Sequence, residues 1–196
     1  MVSPAFPGLF FCFASLVLLT FASVSPPAWQ TINFLKANVG GTQTVFGVFG
    51  ECVKGGACTH RSVGYNLDVG GVTGLNSKIL HNLTYTLILH PIAGGFAFFA
   101  LVFGLLGACA ASRVATIFMA LFSALGAIVA LVIFVIDMVL WNVLKNRIHD
   151  AGGSATLGNA NWLTVGAVVS LFLAMCTSVC GSCGRFASGR MAGEKY

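Results

Sequence analysis

The chain has 196 residues, 57% of them hydrophobic and only 8% charged, with a formal net charge of +5. A soluble domain carries about 25% charged residues, so this composition excludes a water-covered globule; with a mean hydropathy of +0.92 it places the chain in lipid. The cations are scattered through loops rather than interleaved with aromatics in a stripe, which excludes a nucleic-acid-binding surface.

The first apolar run covers residues 4–24, long enough to cross a hydrocarbon core of ~30 Å at 1.5 Å per residue. No Lys or Arg precedes Lys36, and the small residues at 22–25 lead straight into Pro26-Pro27. The run therefore reads as a retained span rather than a cleaved signal peptide. Residues 25–83 form the long polar segment. Alternating or β-branched stretches at 29–35 and 44–53, with a third candidate at 57–65, lie between turn residues such as Asn38, Gly40 and Gly41. These predict strands joined by tight turns. Residues 76–83 predict a short helix leading into the membrane.

A second apolar run, 84–110, is interrupted only by His90-Pro91, a break tolerated in a span where neighbours satisfy the freed backbone. The link at 111–113 is so short that the second and third runs must form an antiparallel hairpin. The third run, 114–143, makes a helix of roughly 45 Å, so one end projects beyond the bilayer or the helix tilts. A polar loop at 144–161 leads to a fourth run, 162–182, and a tail at 183–196. The whole reads as one membrane domain.

Arg113, Arg185, Arg190 and Lys195 crowd short segments on one side, whereas Lys36, Lys54, Arg61, Lys78, Lys145 and Arg147 are spread over much longer ones. The positive-inside rule then predicts both termini in the cytosol and the long loop outside. Trp29, Trp141 and Trp162 fall at the outer ends of spans, the position of an interfacial aromatic belt.

Of seven cysteines, Cys12, Cys109, Cys176, Cys180 and Cys183 lie in or at the ends of apolar runs, and Cys52 and Cys58 lie in the polar segment. Between that pair, Gly55-Gly56 supplies the positive φ of a tight hairpin, so the two thiols face each other across adjacent strands. In an oxidising exterior they should close a disulfide, which a loop this short makes worth about 2 kcal/mol.

Trp29, then Phe46-Gly47-Val48-Phe49-Gly50-Glu51-Cys52, then Cys58, after the first span of a four-span chain, resembles the claudin-like superfamily. The Phe-Gly-Val-Phe-Gly-x-Cys form is most similar to the fungal PalI family, which includes pH-response regulators of the plasma membrane and has eisosome-associated relatives. Claudins carry Trp where this chain has Phe49, and space their cysteines more widely. PalI regulators resemble the chain in its membrane part and usually add a long polar cytosolic tail, which this sequence does not show.

Asp137 is the acid inside an apolar run, where a carboxylate marks a site or an internal pair. It lies at similar depth to His90 on the predicted hairpin, so the two are candidates for a contact that is either a packing bond or a proton-sensitive pair. His60, His81, His90 and His149 all fall on the predicted outer side or in the outer third of a span, where imidazoles titrating near pH 6.5 would suit a reporter of ambient pH. Gly166, Ser170, Ala174 and Ser178 form a small-residue stripe suited to close helix packing. Gly94, Gly95, Gly104 and Gly107 read the same way. Cys176, Cys180 and Cys183, beside Arg185 at the inner interface, are acylation candidates, since Cys180-x-x-Cys183 lacks the βαβ context of a redox motif. Asn82-Leu83-Thr84 fits the glycosylation sequon but abuts the bilayer.

The expected fold is an all-α left-handed bundle of four transmembrane helices with a small extracellular antiparallel β-sheet, claudin-like. No nucleophile–base pair, metal cluster or cofactor motif stands out. The resemblance implies a non-enzymatic, multi-pass plasma-membrane protein, an accessory of an ambient-pH sensing complex or an organiser of membrane domains. Its expected partners are the lipid bilayer and another integral membrane protein such as a seven-span sensor, with homo-oligomers left open. The competing readings are a claudin-like adhesion or cell-surface structural protein, and a small transporter or channel subunit.

Overall fold

The computed structural model of the protein describes residues 6–67, 78–110 and 113–183. In chain order its elements are α1 (Phe6–Ser23), β1 (Leu35–Val39), β2 (Thr42–Phe46), β3 (Glu51–Val53), α2 (Lys78–Thr86), α3 (Leu89–Ala110), α4 (Arg113–Asp150), β4 (Ser154–Leu157) and α5 (Ala160–Cys183). Among the described residues, four stretches are long and apolar enough to cross a membrane: Phe6–Ser23, Leu80–Cys109, Val114–Asp150 and Ala160–Cys180.

These four helices are apolar all round, so the hydrophobic effect cannot choose which face turns inward; side-chain size does. Ala93, Ala97 and Ala100 of α3, Ala130 of α4, and Ala167 and Ala174 of α5 are buried, while Phe98, Phe99, Leu105 and Leu106 of α3 point outward. The helices pack as a ring in the order α1-α3-α4-α5. Close approaches at glycine fix the spacing. A Cβ on Gly8 would sit 2.9 Å from Met119, one on Gly104 2.8 Å from the same residue, and one on Gly166 3.2 Å from Leu18.

Above one end of the ring lies a four-stranded antiparallel sheet in the order β3-β2-β1-β4. Gly40 and Gly41 turn β1 into β2 with φ of 57° and 82°, the doubly positive conformation that the tightest hairpins require. On β1, Leu35 and Ala37 point inward and alternate with exposed Lys36 and Asn38. The inward residues meet Leu140, Trp141, Leu144 and Ile148 of α4, one stripe at helical spacing. The sheet edge at β3 is bound by the following segment, through Val53 N–H to Ala57 O at 3.1 Å and Thr59 N–H to Glu51 O at 2.9 Å, and by the Cys52–Cys58 disulfide.

Several boundaries differ from the sequence expectation. The stretch 29–35 is not a strand until Leu35, and 44–53 divides into β2 and β3 around Gly47–Gly50. Residues 57–65 hold only an isolated bridge at Cys58. The third span, α4, runs to Asp150 rather than 143, because the stripe from Leu144 to Ile148 stays covered by the sheet. Its Trp141 is therefore buried inside the lobe and not an interfacial anchor, while Trp29 and Trp162 are 48% and 76% exposed at the lobe's border with the bundle. The second polar loop contributes β4, which pairs with β1 from Leu35↔Leu157 to Asn38↔Ser154.

Candidate functional site

The most heavily engineered place in the molecule is the junction where the sheet sits on the helices, and its geometry begins with a proline. Pro91 has no N–H to give the Leu87 carbonyl, so that acceptor is left free in the first turn of α3. His90 fills the gap twice, with its backbone N–H at 3.1 Å and its ring Nδ1 at 3.0 Å from Leu87 O. Because the carbonyl can only accept, Nδ1 carries a proton. The ring is thereby fixed with Nε2 pointing across the bundle, 3.1 Å from Asp137 Oδ2 of α4 and 3.5 Å from Thr164 Oγ1 of α5.

The site is dry: His90, Asp137 and Thr164 are buried. Neither Asp137 oxygen has a hydrogen-bond donor in good alignment, so the contact with His90 is one of ion-pair distance rather than of aligned bonding. Aromatic rings close it on the lobe side. Phe34 lies edge-on to His90 at 5.2 Å and stacks on Trp141 at 5.7 Å, and Phe46 leans on Trp141 at 6.1 Å. Tyr65, also buried, donates its hydroxyl proton to Gly47 O at 2.8 Å. Burial holds the Tyr65 phenol well above its ordinary range, and the charges of Glu51 and Asp137 push it the same way.

An asparagine clasp keeps the lobe in place. The segment before β1 binds the start of α5 through Asn33 N–H to Asn159 Oδ1 (3.1 Å), Asn159 Nδ2 to Thr31 O (3.2 Å) and Asn161 Nδ2 to Phe34 O (2.8 Å). Backbone bonds from Gly158 N–H to Phe34 O and Ala160 N–H to Asn33 O complete it. Sequence reasoning missed Gly158, Asn159 and Asn161. Their signal is the Asn-Ala-Asn leading into the apolar run, whose Asn159 stands at the N-cap position ahead of Ala160, inside a stretch that otherwise reads as loop.

The motif residues Phe46, Gly47, Phe49, Gly50, Cys52 and Cys58 form one corner of the lobe. Gly47 lies so close to Pro26 that a Cβ there would overlap it, and a Cβ on Gly50 would sit 2.6 Å from Thr59 Oγ1. Val48 N–H is bound by Ser25 Oγ at 2.9 Å, which ties this corner to the end of α1. Trp29 stands apart from it, 6.0 Å from Phe21 of α1. Reducing Cys52–Cys58 in the purified protein is expected to lower the unfolding midpoint of the whole chain by roughly 4–8 °C, a loss of about 2 kcal/mol. A midpoint that stays put would show that strand pairing carries the corner without the bridge.

The other predicted residues fall elsewhere. Gly166, Ala174 and Ser178 face into the bundle, Gly166 against Leu18 and Ser178 near Gly8, and Ser170 is half-buried. Asn82 is exposed on α2, whereas the Thr84 of its sequon is buried and donates to His81 O and Tyr65 O. Cys176 is half-buried and Cys180 exposed near the far end of α5; the Cys183 side chain lies outside the described residues. Among the described residues no three His, Cys, Asp or Glu side chains gather as a metal site.

Four apolar helices capped at one end by a small disulfide-clipped antiparallel sheet define a claudin-like four-span membrane protein. The chain belongs to the SUR7/PalI family, which it matches over residues 4–177. It is 39% identical over 104 residues to the pH-response regulator protein palI/RIM9 of Yarrowia lipolytica (strain CLIB 122 / E 150). That likeness covers 49% of this chain and 14% of the relative, so the chain spans a small part of that protein's length.

Proposed function

We propose that this chain is a non-enzymatic component of the plasma membrane that serves an ambient-pH response as the accessory of another integral membrane protein. The observation that carries this reading is the 39% identity over 104 residues to a pH-response regulator, beside the family match over residues 4–177. In this reading the sheet faces the medium and both termini lie in the cytosol. The crowding of Arg113, Arg185, Arg190 and Lys195 into short sequence segments, against the wider spread of the other cations, supports that orientation. A rigid lobe clasped to a bundle with no assembled catalytic group among the described residues suits a subunit that recognises or steadies a partner.

The test is purification of the tagged chain from its own cells in mild detergent, paired with growth of a deletion strain across pH. Recovery of an integral membrane partner, together with a growth defect confined to alkaline medium, is expected. Normal growth of the deletion strain at every pH overturns the reading. Impermeant labelling that reaches Arg190 and spares Lys54 overturns the orientation.

A further inference from the structure

We infer that His90 and Asp137 form a proton-binding site, and that the proton they share holds the lobe down on the bundle. The inference rests on the junction geometry alone and stands whichever partner the protein serves.

The proton count follows from the donors and acceptors around the ring. Nδ1 is committed as a donor to the Leu87 carbonyl at 3.0 Å. Nε2 faces Asp137 Oδ2 at 3.1 Å and Thr164 Oγ1 at 3.5 Å. The Thr164 hydroxyl proton is directed to Ala160 O at 3.2 Å, so Oγ1 presents a lone pair to the ring. An imidazole with a bare Nε2 would then aim its own lone pair at a carboxylate and a hydroxyl oxygen, and the three would repel. One proton carried by the pair, on Nε2 or on Oδ2, removes the conflict. Whether it is drawn as imidazolium and carboxylate or as imidazole and carboxylic acid, the pair is neutral overall.

Neutrality matters because of where the pair sits. Its His and Asp side chains are 0% and 1% exposed, respectively. Loss of the shared proton would leave one uncompensated negative charge in a dry site, which burial strongly disfavours. The facing groups offer it little relief. Thr164 of α5 is neutral, Phe34 and Trp141 are apolar faces, and Tyr65 of the lobe keeps its proton and lies near the acid Glu51. The way out is to admit water, and the removable cover is Phe34 with the clasped segment 31–34.

The closed junction therefore holds one proton that the opened one releases. An exposed imidazole gives up its second proton near pH 6.5. Above that point the opened state binds fewer protons than the closed one, so closure weakens as pH rises, by up to tenfold in the opening equilibrium per pH unit. Alkaline medium loosens the lobe, and neutral or acid medium seats it.

The test is hydrogen exchange of the full chain in lipid nanodiscs, read at residues 31–39 and 154–161 and corrected for the intrinsic rate at each pH. In wild type, protection of these segments is expected to fall with pH by up to tenfold per unit. In Asp137→Asn the side-chain amide donates to Nε2, no proton remains to be shared, and protection becomes flat in the alkaline range. Tyr65→Phe removes the other nearby titrating group and should leave the wild-type slope in place. A flat wild-type profile overturns the inference, as does an Asp137→Asn profile with the wild-type slope. Should Asp137→Asn not fold, ring nitrogen and carboxyl carbon resonances of wild type at neutral pH still decide. Pyridine-type Nε2 beside an ionised Asp137 means that no proton is shared and ends the proposal.

Discussion

Replacing Gly158 by alanine is expected to cost about 4 kcal/mol or more and to release the lobe from α5, an effect in the upper tail for a single methyl group. The added Cβ would overlap the Asn33 backbone carbonyl and its side-chain oxygen. No rotamer change relieves a clash with backbone, so strand-leading residues 31–34 and helix-leading residues 158–161 must separate. Separation breaks the bonds that Phe34 O accepts from Gly158 N–H at 2.8 Å and from Asn161 Nδ2 at 2.8 Å, and the one that Asn33 O accepts from Ala160 N–H at 3.0 Å. A buried carbonyl that loses its donors costs about 1–3 kcal/mol, and overpacking adds to it. Gly95→Ala is the matched control. Nothing lies within 4 Å of its Cβ position, and in mid-helix the change should be neutral or stabilising by up to about 1 kcal/mol. Thermal unfolding of both variants in detergent gives the comparison, and equal midpoints would show that the clasp does not hold the lobe.

Residues around this clasp show where the sequence is and is not readable. The spans are legible because lipid demands long apolar runs, a property of each segment by itself. The hairpin at Gly40-Gly41 and the Cys52–Cys58 corner are legible for a similar reason, since both are fixed within a few residues. Strand β4 is not. Ser154–Leu157 is four residues of weak alternation in a Gly-rich loop, and it becomes a strand only by pairing with β1 more than a hundred positions earlier. The same long-range cause delays β1 to Leu35, because the backbone groups of Asn33 and Phe34 are taken by 158–161 and by Phe46. The outer extension of α4 is hidden by Lys145 and Arg147, which read as loop although Leu144 before them and Ile148 after them are buried beneath the sheet.

His90 and Asp137 stand between these cases. Their similar depth could be counted along two antiparallel helices, and the structure puts them 3.1 Å apart. What could not be counted was the cover. Phe34 and Phe46 flank the first hairpin while Trp141 lies far along the chain in α4, and only their assembly makes the site dry. Helix depth is encoded locally, whereas dryness is a property of the whole junction.

That cover carries the second large expectation: Trp141→Ala should cost about 3–5 kcal/mol, while Trp141→Phe should cost only about 1 kcal/mol. The indole is fully buried, stacked at 5.7 Å and 20° on Phe34 and touched by Phe46 at 6.1 Å. Alanine leaves a cavity at the centre of the lobe and removes the surface against which Phe34 is pressed toward His90. Phenylalanine keeps most of that surface. It also loses little polar bonding, because the Trp141 Nε1–H finds no acceptor among the described residues, and an unpaired buried donor is itself a cost that the substitution removes. The two variants thus separate ring packing from hydrogen bonding at one position. Unfolding midpoints and exchange protection of residues 31–39 should both rank wild type and Trp141→Phe close together, with Trp141→Ala far below. A Phe variant as damaged as the Ala variant would mean that the indole N–H has a bonded role at the junction, and that the lobe is held by more than packed rings, the clasp and one shared proton.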